Sequence, residues 1–97
     1  MADATHERVL RGIPRWLLVG YLEELGGTVV ETDVGEIVGP DEDLIAGDGW
    51  QARLTQLEDF KVGSLSSGQV RLHVTGDPDE VRGMLSRLAP RLFRGGG

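Results

Sequence analysis

Ile13-Pro14-Arg15-Trp16-Leu17-Leu18-Val19-Gly20-Tyr21-Leu22-Glu23-Glu24-Leu25-Gly26-Gly27 is the stretch from which the rest of the chain can be read. It has a start, an apolar face and a stop. Pro14 suits a first helical position, where its missing N–H costs nothing and its fixed φ fits the helix. At about 100° per residue, Pro14, Leu17, Leu18, Tyr21, Leu22 and Leu25 fall on one side. Gly26-Gly27 supplies the left-handed stop of a helix C-terminus. The opposite side carries Arg15, Trp16, Val19, Gly20, Glu23 and Glu24. Trp16 and Val19 are thus apolar residues on a face that should be wet. Two readings follow. Loop residues of the same domain cover Trp16, or Trp16, Val19, Gly20 and Glu23 form a partner-binding patch. In the second, Gly20 lets a partner's backbone come close. The acidic rim of Glu23 and Glu24 then favours a basic partner.

Outward from this helix, Arg8-Val9-Leu10-Arg11 reads as a short edge strand ended by Gly12, and the polar residues before it as a frayed tail. Thr28–Thr32 is β-branched, and with Glu36–Val38 across Asp33-Val34-Gly35 it reads as a hairpin. Gly39–Asp43 reads as a loop, Leu44-Ile45-Ala46 as a short apolar run and Gly47-Asp48-Gly49 as a turn. Trp50, Ala52 and Leu54 alternate on one face of a strand, with a bulge expected near Thr55-Gln56. A polar stretch around Phe60 leads to a hairpin turn at Ser66-Ser67-Gly68. Gln69–Thr75 is the clearest strand, with Val70, Leu72 and Val74 facing in and Arg71 and His73 out. Asp77 caps a second helix, with Pro78 at its first position and Glu80 two further on. Val81, Met84, Leu85, Leu88 and Leu92 line its apolar face, and Pro90 is expected to stop it near Ala89.

The order is β-α-β-β-β-β-α. Two amphipathic helices and several half-buried strands bury their faces together only if both helices lie on one sheet. The expectation is an α+β single domain spanning residues 1–97, with both helices on the concave face of a curved antiparallel sheet. Residues 7–93 are expected to be folded, and 1–6 and 94–97 to be flexible tails.

Ninety-seven residues bury somewhat over about 60% of their unfolded surface, enough for one core but not for a core and a deep enclosed site. There is no cysteine, which excludes disulfide and thiolate chemistry. No long apolar run or signal-peptide pattern occurs, so a cytoplasmic protein without membrane contact is expected. The formal net charge of −6 opposes a phosphate backbone and argues against nucleic acid as a partner. Lys61 is the sole lysine among 10 basic residues. Such an acidic, lysine-poor composition fits the halophilic condition of a salty cytosol, and a GC-rich genome would give it as well. If net repulsion limits stability, the thermal midpoint should rise from low salt to molar KCl, because salt screens like charges. A flat or falling curve would count against the halophilic reading.

No set of residues assembles an acid, a base and an oxyanion donor. His6 and His73 lack metal-ligand spacing, and Asp41-Glu42-Asp43 lacks the alternation of a calcium loop. Ser64, Ser66 and Ser67 have no base in evidence. Neither an enzyme nor a cofactor nor a metal site is expected. Tyr21, Trp50, Leu54 and Leu72 could line a small-ligand hollow between sheet and helices, or simply be core. Gly96 and Gly97 end the chain with the Gly-Gly of a tail-activated carrier, although a helix and not a final strand precedes them.

Arg11-Gly12-Ile13-Pro14, Tyr21-Leu22-Glu23, Gly26-Gly27 and Gly47-Asp48-Gly49-Trp50, in this order of elements, resemble a small prokaryotic accessory domain. That domain is found fused behind the ubiquitin-like small sulfur-carrier subunit of molybdopterin synthase. It has a TATA-binding-protein-like β-α-β(4)-α fold. The resemblance runs from about Glu7 to Leu92 and brings no catalytic residue with it. It differs in that no ubiquitin-like domain precedes the match here. It implies a non-catalytic protein-interaction or regulatory module near molybdenum-cofactor or sulfur-transfer proteins. The alternatives are a small-ligand-binding domain and a tail-activated carrier.

Overall fold

The computed structural model describes residues 3–30 and 41–96, the last four of these as backbone alone. Its elements are β1 (Ala4–Arg11), α1 (Arg15–Glu24), β2 (Thr28–Val29), β3 (Glu42–Ala46), β4 (Trp50–Val62), β5 (Leu65–Gly76) and α2 (Pro78–Gly96). The strands make one antiparallel sheet in the order β1-β5-β4-β3-β2. This is the expected β-α-β-β-β-β-α arrangement.

The alternation of β5 places Val70, Leu72 and Val74 on one face. Ala52 and Leu54 of β4 stand opposite Val74 and Leu72 on that same face. Leu18 and Leu22 of α1 and Val81, Met84 and Leu88 of α2 complete a single buried cluster with them. Both helices therefore cover one side of the sheet. Leu17, Leu25 and Leu85, also expected inside, are half-buried against this cluster.

The helix termini follow local chemistry. Pro14 has φ −62° and ψ 145° and is the N-cap, so α1 begins one residue later than expected. The Pro14 carbonyl accepts from Leu17 and Leu18 at 3.1 and 3.2 Å. At the other end Gly26 has φ +97°. Its N–H donates to Glu23 C=O at 3.0 Å, and Gly27 N–H donates to Leu22 C=O at 3.0 Å. These two bonds are the Schellman pair, and the αL residue between them is where glycine costs least. In α2 the Asp77 carboxylate accepts from Asp79 and Glu80 N–H at 3.1 and 3.2 Å, the cap expected from sequence.

Several boundaries differ from expectation. β1 starts at Ala4, not Arg8, because β5 is long enough to pair with it as far as Ala4↔Gly76. Residues 4–6 are thus strand and not tail. The expected hairpin of Thr28–Thr32 with Glu36–Val38 lies largely outside the described residues, and β2 pairs instead with β3. Glu42 and Asp43 belong to β3 and not to a loop. Cross-strand partners Thr55 and Leu54 hold them there despite their low strand propensity.

β4 runs on through the polar stretch to Val62, with its irregularity between Leu57 and Phe60 and not at Thr55. The turn is Gly63-Ser64, since Val62 pairs with Leu65 and Gly63 has φ +59°. Glycine first in a two-residue loop suits a type II′ turn. Ser66-Ser67-Gly68 is accordingly strand.

Pro90 does not stop α2. Leu88 before it is buried, and Leu92 after it packs on the same core. The Arg91 side chain donates to the Arg87 carbonyl at 2.7 Å and to Glu24 of α1 at 3.1 Å. Packing and these bonds offset the hydrogen bond that a proline removes.

Candidate functional site

The sequence-derived patch lies on the outer side of α1. Trp16 is 73% exposed, so no loop of the described chain buries it. Val19, one turn on, is half-buried and packs against the core. Beside Gly20 there is open space where a side chain would stand. Glu23 and Glu24 are both exposed, and Arg91 Nε lies 3.1 Å from the Glu24 carboxylate.

Trp16 and Val19 form one wall of a surface hollow of about 540 Å³, completed by Pro14, Arg15, Asp43 and Gln56. Arg15 Nε lies 2.9 Å from Asp43 Oδ2, which ties the first turn of α1 to β3. The indole offers a broad apolar surface with few rotamers to freeze, and the ion pair and Gln56 offer polar partners beside it. Asp43 and Gln56 escaped the sequence reading because they lie on β3 and β4, far in sequence from the helix that carries Arg15 and Trp16. The one available signal was their polarity at core-facing positions of strands: Asp43 pairs with Leu54, and Gln56 with Val70.

The face of the sheet away from the helices carries a polar row. Gln51, Arg53 and Thr55 of β4 stand beside Thr75, His73 and Arg71 of β5. With Glu7 and Glu42 they line a shallow hollow of about 440 Å³. Arg53 lies 3.5 Å from Glu42, and Arg71 lies 3.6 Å from Glu7. Thr55 donates to Glu42 at 3.1 Å. His73 is half-buried in this row, on the outer face as expected.

The other sequence candidates fall elsewhere. Trp50, Leu54 and Leu72 are buried in the core cluster, and Tyr21 packs against it. None of the four lines either of these two hollows. Trp50 is wedged against Gly47 and Gly27, where any Cβ would overlap its ring. This explains glycine at both positions, one just after α1 and one three residues before Trp50. Gly96 is the last residue of α2. Gly97 lies outside the described residues. Among the described residues, no group of three or more histidines, cysteines or carboxylates is placed to hold a metal. Among them, too, no helix is long and apolar enough to cross a membrane.

These features define an α+β domain in which both described helices lie on one face of a five-stranded antiparallel sheet. Residues 6–97 match the model of the archaeal MoaD-like protein family, and the chain belongs to that family. No curated protein matches it in sequence.

Proposed function

We propose that this chain is a non-catalytic interaction or regulatory module that works beside molybdenum-cofactor and sulfur-transfer proteins. In this reading it acts like the TATA-binding-protein-like accessory domain it resembles. Membership of a MoaD-like family supports the setting. The observation that carries the mode of action is Trp16, 73% exposed and lining a hollow together with Arg15, Asp43 and Gln56. An exposed indole beside paired polar groups is the composition of a binding anchor. The hollow presents a guanidinium, a carboxylate and an amide beside the indole, groups suited to hydrogen-bonded contact with a partner.

The test is titration of the protein with the ubiquitin-like sulfur carrier of its own host. Trp16→Ala should weaken that complex by at least about 2 kcal/mol while the thermal midpoint stays within a degree or so of wild type. Little stability is at stake because the indole is largely solvated. A complex of unchanged affinity would remove Trp16 from the interface and with it this reading.

A further inference from the structure

β1 is one end of the sheet, and beyond it no described strand follows. Gly12 N–H donates to Gly68 C=O at 3.0 Å, and the ladder continues in register from Arg11↔Gln69 to Ala4↔Gly76. Antiparallel alternation then turns the main-chain groups of Ala4, His6, Arg8 and Leu10 toward β5. Those of Thr5, Glu7, Val9 and Arg11 point outward. The side chains of these same four residues are exposed. Val9 is 44% exposed, an apolar residue on an edge to which no described strand pairs.

We infer that this edge pairs with the same edge of a second copy, two-fold and antiparallel, with Val9 opposite Val9 and Glu7 opposite Arg11. The charges select the register. An axis through Glu7 sets two carboxylates against each other and His6 beside Arg8. An axis through Arg8 sets two guanidinium groups together. Like charges directly opposite each other destabilise a strand pair. An axis through Val9 instead joins two apolar side chains and flanks them with two Glu7–Arg11 pairs, while the stem of Arg8 lies over Leu10. In this register the outward main-chain groups of Glu7, Val9 and Arg11 all meet outward groups of the other copy. Axes nearer either end of β1 leave more of them unpaired.

The two charged partners are already placed on the open face. Arg11 Nε donates to Gln69 Oε1 at 3.1 Å, and its guanidinium lies 3.9 Å from the centre of the Phe60 ring. Glu7 is held near Arg71. Groups ordered in advance lose less freedom on association. Charged residues on an edge strand ordinarily discourage pairing. Here they reject two registers and admit a third. The surface is separate from the Trp16 hollow, so this inference and the proposed function stand or fall independently.

Sedimentation equilibrium of the full chain, at low and at molar KCl, tests it. The wild type should be a dimer at micromolar concentration. Glu7→Arg and Arg11→Glu, each alone, bring like charges together twice and should raise the dissociation constant by about tenfold or more. The two substitutions combined restore opposite charges in this register alone and should restore the dimer. Val9→Pro provides a second check, because it deletes the outward N–H at the axis and no bond to β5. It should yield a folded monomer by circular dichroism. A wild type that stays monomeric at both salts, single swaps that dimerise like wild type, or a double swap no tighter than the singles would overturn the inference.

Discussion

Leu22→Ala should lower the free energy of unfolding in urea by about 2–5 kcal/mol with little change in the denaturant slope. Leu22 is 1% exposed and sits between α1 and the sheet. Helix α1 has 10 residues, too few to be stable by itself in water. Its persistence depends on the apolar stripe it lays on the core. The Leu22 carbonyl also receives the Gly27 N–H that closes the helix, so packing and termination meet at one residue. Truncating the side chain leaves a void that neighbours on the sheet cannot fill, since strands are held in register by their ladders. A loss below about 1 kcal/mol would mean that α1 does not pack where described.

Trp50→Ala should cost about 3–5 kcal/mol, in contrast to the near-silent Trp16→Ala. The two residues are chemically identical and differ in burial, 4% exposed against 73%. Trp50 opens β4, and its ring lies in a slot floored by Gly47 and bounded by Gly27 and Ile45. Gly47→Ala should therefore destabilise by about 1–3 kcal/mol by itself, as an overpacked core does. The ring is rigid and enclosed, so it cannot swing aside to admit the methyl group. Combined with Trp50→Ala, the methyl group has room, and the double variant should be more stable than the sum of the two losses implies. Additive losses would show that Gly47 matters through its backbone and not through the indole.

What the sequence by itself determined was local and periodic. The stripe Leu18, Leu22 with the Gly26 stop, the Asp77-Pro78 start and the alternation Val70, Leu72, Val74 each follow from residues a few positions apart. Amphipathic patterning of this kind dictates which faces must be buried, and hence two helices on one sheet. Trp16 was legible as misplaced on the wet side for the same reason.

Only the tertiary structure decided the rest, because it depends on partners distant in the chain. Glu42 and Asp43 are strand because β4 pairs with them, although a run of carboxylates after Gly39-Pro40 reads as loop. The helix passes Pro90 because Leu88 and Leu92 are both anchored on the core and Arg91 reaches Glu24. β4 and β5 extend to Gly63-Ser64 because each completes the other's hydrogen bonds, whatever the polarity of the side chains. The Trp16 hollow acquired its polar lining residues when folding brought Arg15, Asp43 and Gln56 together. Propensity is worth tenths of a kcal/mol per residue, whereas a satisfied ladder or a buried leucine is worth one to several, so where they conflict the long-range contact prevails.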